Sequence, residues 1–182
     1  MSGDVLVAFG TRHESTRGIA ALVANVLRAG GVSVDLRPVD EVGELGRARA
    51  AVLGSVVYDG EWLPGAYEFL ALHERELRAI PTWLFASGPL EHLRPGMQAE
   101  VPSDLVEVIG RIGPRDVAIF TGPVQPHHLA SGLRLLTRVA RTNVGDHRDW
   151  AAIERWAGTI RDAILAGQPV AAETPRRSGS GF

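Results

Sequence analysis

An apolar run, Val5-Leu6-Val7-Ala8-Phe9, breaks at Gly10 into Thr11-Arg12-His13-Glu14-Ser15-Thr16 and passes straight into an amphipathic pattern. Ile19, Leu22, Val23, Val26 and Leu27 recur at helical spacing, so that helix has one face made for a core. The free N–H groups of a helix's first turn favour an anion, and hydroxyls beside them can hydrogen-bond one. A strand, a hydroxyl-rich turn and a helix N-terminus together make a phosphate cradle. Ser15 and Thr16 would equally serve as plain helix caps. No Gly-Lys-Ser/Thr and no G-x-G-x-x-G occurs in the turn, so neither standard nucleotide fingerprint is present.

The same alternation continues down the chain. Strands are expected near Asp4–Phe9, Val32–Leu36, Ala50–Ser55, Thr82–Ala86 and Val117–Thr121. Helices are expected near Ser15–Ala29, Gly65–Ala79, Ser103–Ile112, Ser131–Arg141 and Trp150–Ala166. Near-continuously apolar strands separated by helices predict a parallel sheet covered on both faces. Gly30-Gly31 stops the first helix. In the last one, Trp150, Ile153, Ala157, Ile160 and Ile164 form an apolar face capped from Asp146 or Asp149. A length of 182 residues suits one domain, read as residues 1–166. The stretch 167–182 is rich in Pro, Gly, Ser and Arg without a pattern, and is expected to be a disordered tail.

Composition removes several function classes. With no cysteine there is no disulfide, thiolate metal site or cysteine nucleophile. A net charge of −2 gives no basic surface for nucleic acid. Neither a membrane-spanning run nor a signal-type N-terminus is visible, and a cytoplasmic location is expected. His127-His128 lack metal-ligand spacing, so no metal site is assigned, and Ser15 lacks a nucleophile-elbow context. Arg134, Arg138 and Arg141 share one side of a helix, as a solvated face or as a surface for peripheral contact with an anionic membrane.

In an open parallel sheet, ligands bind outside the carboxyl ends of the strands. Three segments there carry distinctive chemistry. The first is Thr11–Thr16. The second, Ser55–Pro64, offers Tyr58 and Trp62 around Asp59-Gly60, with rings suited to a planar heterocycle. Its plainer alternative makes Trp62 a core aromatic and Asp59-Gly60 an ordinary turn. The third is Ser87-Gly88-Pro89-Leu90, whose backbone can approach a ligand edge.

Several segments carry a family resemblance: Gly10–Ala20, Gly54–Pro64 (G-S-V-V-Y-D-G-E-W-L-P), Phe85–Leu90, Phe120-Thr121-Gly122 and Gly145-Asp146-His147-Arg148-Asp149-Trp150. The chain resembles the flavodoxin-like family that includes the menaquinone-dependent protoporphyrinogen oxidases and their flavodoxin-domain relatives. The resemblance implies an α/β three-layer sandwich with a five-stranded parallel sheet in the order 2-1-3-4-5, and noncovalent FMN. It puts the FMN phosphate in the turn Thr11, Arg12, His13, Glu14, Ser15, Thr16, held by Thr11, His13, Ser15 and Thr16. Val56, Val57, Tyr58, Asp59, Gly60 and Trp62 would lie against the isoalloxazine, with Ser87, Gly88 and Pro89 along its other edge.

No side chain is assigned a catalytic role. An FMN-dependent oxidoreductase is implied, with a small redox substrate or a quinone as acceptor, protoporphyrinogen oxidation being one such activity. The alternatives are an electron carrier serving a redox partner protein and a flavodoxin-fold binding module that has lost FMN. Glu14 favours the last, because relatives usually carry Gly there and a carboxylate facing a phosphate dianion is repelled. Either Glu14 points to solvent or FMN binding is weakened or lost.

Overall fold

The computed structural model describes residues 4–10, 14–58, 61–88, 103–121 and 149–167. Five strands form the parallel sheet: β1 (Val5–Gly10), β2 (Val34–Pro38), β3 (Ala50–Tyr58), β5 (Thr82–Gly88) and β6 (Asp116–Thr121). They lie in the order β2-β1-β3-β5-β6, and a short strand β4 (Glu61–Trp62) pairs antiparallel with the end of β3. Counted by parallel strands alone, the order is 2-1-3-4-5, as expected.

Period-two alternation divides the core between two faces. Val5, Val7 and Phe9 of β1 and Trp83 and Phe85 of β5 pack with α1 (Glu14–Ala29) and α5 (Trp150–Ala166). Leu6, Ala8, Leu53 and Leu84 face the other side, under α2 (Pro64–Leu72), α3 (Glu74–Ala79) and α4 (Ser103–Ile112). Ile19, Val23 and Leu27 of α1 are fully buried, and Leu22 and Val26 flank them. In α5 the buried stripe is Ile153, Ala157 and Ile160, whereas Trp150 stays 37% exposed because it opens the helix at the margin of the core.

The helix limits have local causes. The Asp149 carboxylate accepts the Ala152 N–H at 2.9 Å and caps α5. Gly31, at φ +80°, ends α1, while the Val32 N–H reaches back to the Leu27 carbonyl at 3.1 Å. The single helix expected over Gly65–Ala79 is two helices. His73 separates them, its ring buried against Phe69 at a 4.6 Å centroid distance and its Nδ1 2.6 Å from a Glu76 carboxylate oxygen.

Glycine makes one close approach at the centre of the sheet. Gly54 of β3 pairs with Phe85 of β5, and a Cβ on Gly54 would lie 2.0 Å from the Phe85 ring. The ring therefore lies over bare backbone, edge-on to Trp156 of α5 at 6.0 Å. The expected helix Ser131–Arg141, with Arg134, Arg138 and Arg141, lies outside the described residues, as do Gly122, the Gly145–Arg148 segment, His127-His128 and residues 168–182. Among the described residues, no helix is long and apolar enough to cross a membrane.

Candidate functional site

The parallel register sets the carboxyl ends of three neighbouring strands side by side. Gly10 pairs with Ser55, and Val56 with Ser87. The segments that follow β1, β3 and β5 therefore converge at one end of the sheet, the place where an open α/β sheet binds its ligand.

Gly10 ends β1 under a steric limit: a Cβ there would stand 2.8 Å from that of Ala66 in α2. Thr11, Arg12 and His13 lie outside the described residues. The chain re-enters as helix at Glu14, so Glu14 and Ser15 are the opening residues of α1. A helical backbone suits any L-residue, so Glu14 in place of glycine meets no obstacle from that geometry. Thr16 follows in the same first turn. Its side chain is fully buried and its hydroxyl has no hydrogen-bond partner. A helix hydroxyl normally bonds a nearby carbonyl or caps the turn, and this one does neither.

Val56, Val57 and Tyr58, expected in a loop, continue β3. Antiparallel pairing of Val57 with Trp62 and Tyr58 with Glu61 extends the strand; β-branched and aromatic residues favour the extended form. Asp59 and Gly60, between the paired segments, lie outside the described residues. Trp62 is 4% exposed and belongs to the core cluster with Leu53, Leu84, Ala66 and Val108. That burial fits the plainer alternative, a core aromatic. Being paired with Val57 directs the residue inward, beneath α2.

Ser87 is the last residue but one of β5, followed by Gly88, and Pro89 lies outside the described residues. The Ser87 side chain is fully buried, and its hydroxyl also lacks a partner. Ser55, between the two, behaves differently. Its Oγ donates to the Val56 carbonyl at 3.1 Å and accepts the Leu63 N–H at 3.2 Å. That bridge ties β3 to the start of α2 and positions the intervening hairpin. Sequence reasoning placed Ser55 and Gly10 in the segments of interest without giving either a role of its own. The available signal was a serine inside an apolar run, aligned with a glycine on the neighbouring strand.

Comparison with known proteins accords with this geometry. Residues 6–148 match the model of the flavodoxin domain family, and the chain belongs to that family. Among solved structures, the rubredoxin oxygen:oxidoreductase of Desulfovibrio gigas superposes with a TM-score of 0.62 at 19% identity. That match covers 91% of this chain and only 37% of the larger protein. A flavodoxin from the domain Archaea gives a TM-score of 0.59 at 16% identity, covering 89% of this chain and 99% of its own. A flavodoxin from Pseudomonas aeruginosa gives 0.58 at 13%, with the same coverages. At these identities the likeness is one of fold. A comparison with curated protein sequences finds no match.

Proposed function

We propose that this chain binds FMN across the carboxyl ends of β1, β3 and β5 and works as a flavin-dependent redox protein. The observation that carries the reading is a pair of fully buried, unpartnered hydroxyls, Thr16 Oγ1 and Ser87 Oγ, flanking that end of the sheet. A buried hydroxyl without a partner costs roughly 1–3 kcal/mol. Two on neighbouring segments of one ligand end fit a ligand that supplies the missing partners. Family membership supports FMN as that ligand.

FMN, when bound, supplies the redox chemistry, and the protein contributes binding, orientation and electrostatics. Thr16 would donate its hydroxyl hydrogen to a phosphate oxygen, beside the free N–H groups that open α1. Thr11, Arg12, His13, Glu14 and Ser15 would complete the phosphate turn. Ser87, Gly88 and Pro89 would line one edge of the isoalloxazine, and Val56, Val57, Tyr58, Asp59 and Gly60 the other. Trp62 would act from beneath, as an apolar anchor for the hairpin.

Within this reading the resemblance favours an oxidoreductase with a quinone acceptor, such as a protoporphyrinogen oxidase, over an electron carrier. The two differ in a simple assay. An enzyme of this kind, once reduced, turns over a soluble quinone without a partner protein, whereas a carrier needs its partner for sustained turnover. The prior test is the visible spectrum of the purified protein after incubation with FMN and removal of the excess. Retained flavin bands are expected; a colourless protein contradicts the proposal.

A further inference from the structure

We propose that a groove at the opposite end of the sheet is a second binding site, for a small organic carboxylate with a flat apolar body. The inference is independent of the flavin reading. The order β3-β5-β6 brings together three residues that immediately precede strands: Arg49, Pro81 and Arg115. Neighbouring strands are ~4.8 Å apart and the register sets Arg115 level with Ala51, so the backbones bearing the two arginines stand about 12 Å apart, with Pro81 on the strand between them. The backbone holds both in place. The Arg49 N–H donates to the Asp4 carbonyl at 3.0 Å, and the Arg115 N–H to the Thr82 carbonyl at 2.7 Å.

Between them opens a groove of about 320 Å³, walled by Trp83, Ala163 and Ile164. That volume is at the small end of the range for small-molecule sites, about 300–1,000 Å³. Arg115 carries its guanidinium carbon 6.0 Å from the Trp83 ring centroid, which sets a cation beside a flat apolar wall. Among the described lining residues none is acidic. Two nearby carboxylates have partners of their own: Asp116 accepts the Trp156 Nε1–H at 2.7 Å and the Val117 N–H at 2.9 Å, and Asp162 pairs with Arg161. No described residue forms a hydrogen bond or ion pair with the Arg49 guanidinium. The Arg49 guanidinium beside apolar walls, with no anion among those lining residues, matches a carboxylate that it grips in parallel hydrogen bonds while the ligand's body meets the walls.

The probe is benzoate, with benzamide as its neutral counterpart of the same shape, titrated into the full chain under two-dimensional amide NMR. Saturable shifts centred on Ala50, Trp83 and Ile164 are expected, unchanged by added FMN, with benzamide at least about tenfold weaker. Arg49→Gln, at an exposed position, should weaken benzoate about tenfold. If that variant does not fold, Arg49→Lys, which keeps the charge but not the paired donors, carries the same test. Non-saturating shifts, equal binding of benzamide, or unchanged affinity in the folded variant would overturn the proposal. Loss of FMN binding with retained benzoate binding would count against the flavin reading alone.

Discussion

Thr82 and Ser87 stand near opposite ends of the same strand, both buried and both bearing a hydroxyl. The Thr82 hydroxyl lies 2.9 Å from the Leu77 carbonyl and 3.2 Å from that of Ile80, so the protein satisfies it completely. The Ser87 hydroxyl has no partner, and neither has that of Thr16. The hydroxyl at the N-terminal end of β5 is therefore satisfied by its own chain. At the carboxyl end the fold leaves polar groups for something else to satisfy. Thr82 bonds its own chain and, on the proposed reading, Thr16 and Ser87 bond a ligand, so the two kinds should respond oppositely to removal.

The largest effect expected lies between the two ends, where both depend on the same sheet. Gly54→Ala would press a methyl group into the Phe85 ring, 2.0 Å away. A loss of about 3 kcal/mol is expected, read as a fall in Tm of roughly 10 °C. Thr16→Val, close to isosteric, should lower FMN affinity about tenfold to a hundredfold while leaving Tm unchanged or higher, because it removes an unpaired hydroxyl. Thr82→Val should do the reverse. It leaves the Leu77 and Ile80 carbonyls short of a donor and costs about 1–2 kcal/mol in denaturant unfolding, with FMN affinity intact. Equal behaviour of these two variants would erase the distinction between the ends.

The smallest effect is electrostatic and lies on the edge strand β2, away from both ends. Arg37 donates hydrogen bonds to the Asp35 carboxylate and holds its pKa below the ordinary 3.8, against a partly opposing desolvation. The folded carboxyl thus binds its proton less readily than the unfolded one. The resulting stabilisation is present above the unfolded pKa and is lost as pH falls through the folded value. Because the pair is partly exposed, solvent screening keeps it below about 1 kcal/mol. Asp35→Asn should flatten the acid side of the stability profile, measured by urea unfolding between about pH 2 and 5.

Much of this fold was legible because its signals are local. The apolar runs at Val5, Ala50 and Thr82 mark strands buried on both sides, and Gly30-Gly31 marks the end of α1 by its chemistry alone. Three features were not legible, since each depends on a neighbour distant in sequence or on a boundary. The break falls at His73, whose ring packs against Phe69, and helical periodicity does not register it. The extension of β3 to Tyr58 requires Glu61-Trp62 to fold back on it. Trp62 looks the same in sequence whether it is buried or exposed, and its place in the core depends on its pairing opposite Val57. At the candidate site, sequence identified the segments, including Thr16 and Ser87. Their status as unpartnered hydroxyls depends on packing around them, which no motif encodes.

The most direct test of the central claim is a fluorescence-quenching titration of FMN with the apo full chain, run beside Thr16→Val. The account predicts saturable 1:1 quenching with a Kd of about 1 μM or tighter, and a clearly weaker curve for the variant at unchanged Tm. No quenching by the parent at about 100 μM, or identical curves for the two proteins, would contradict it.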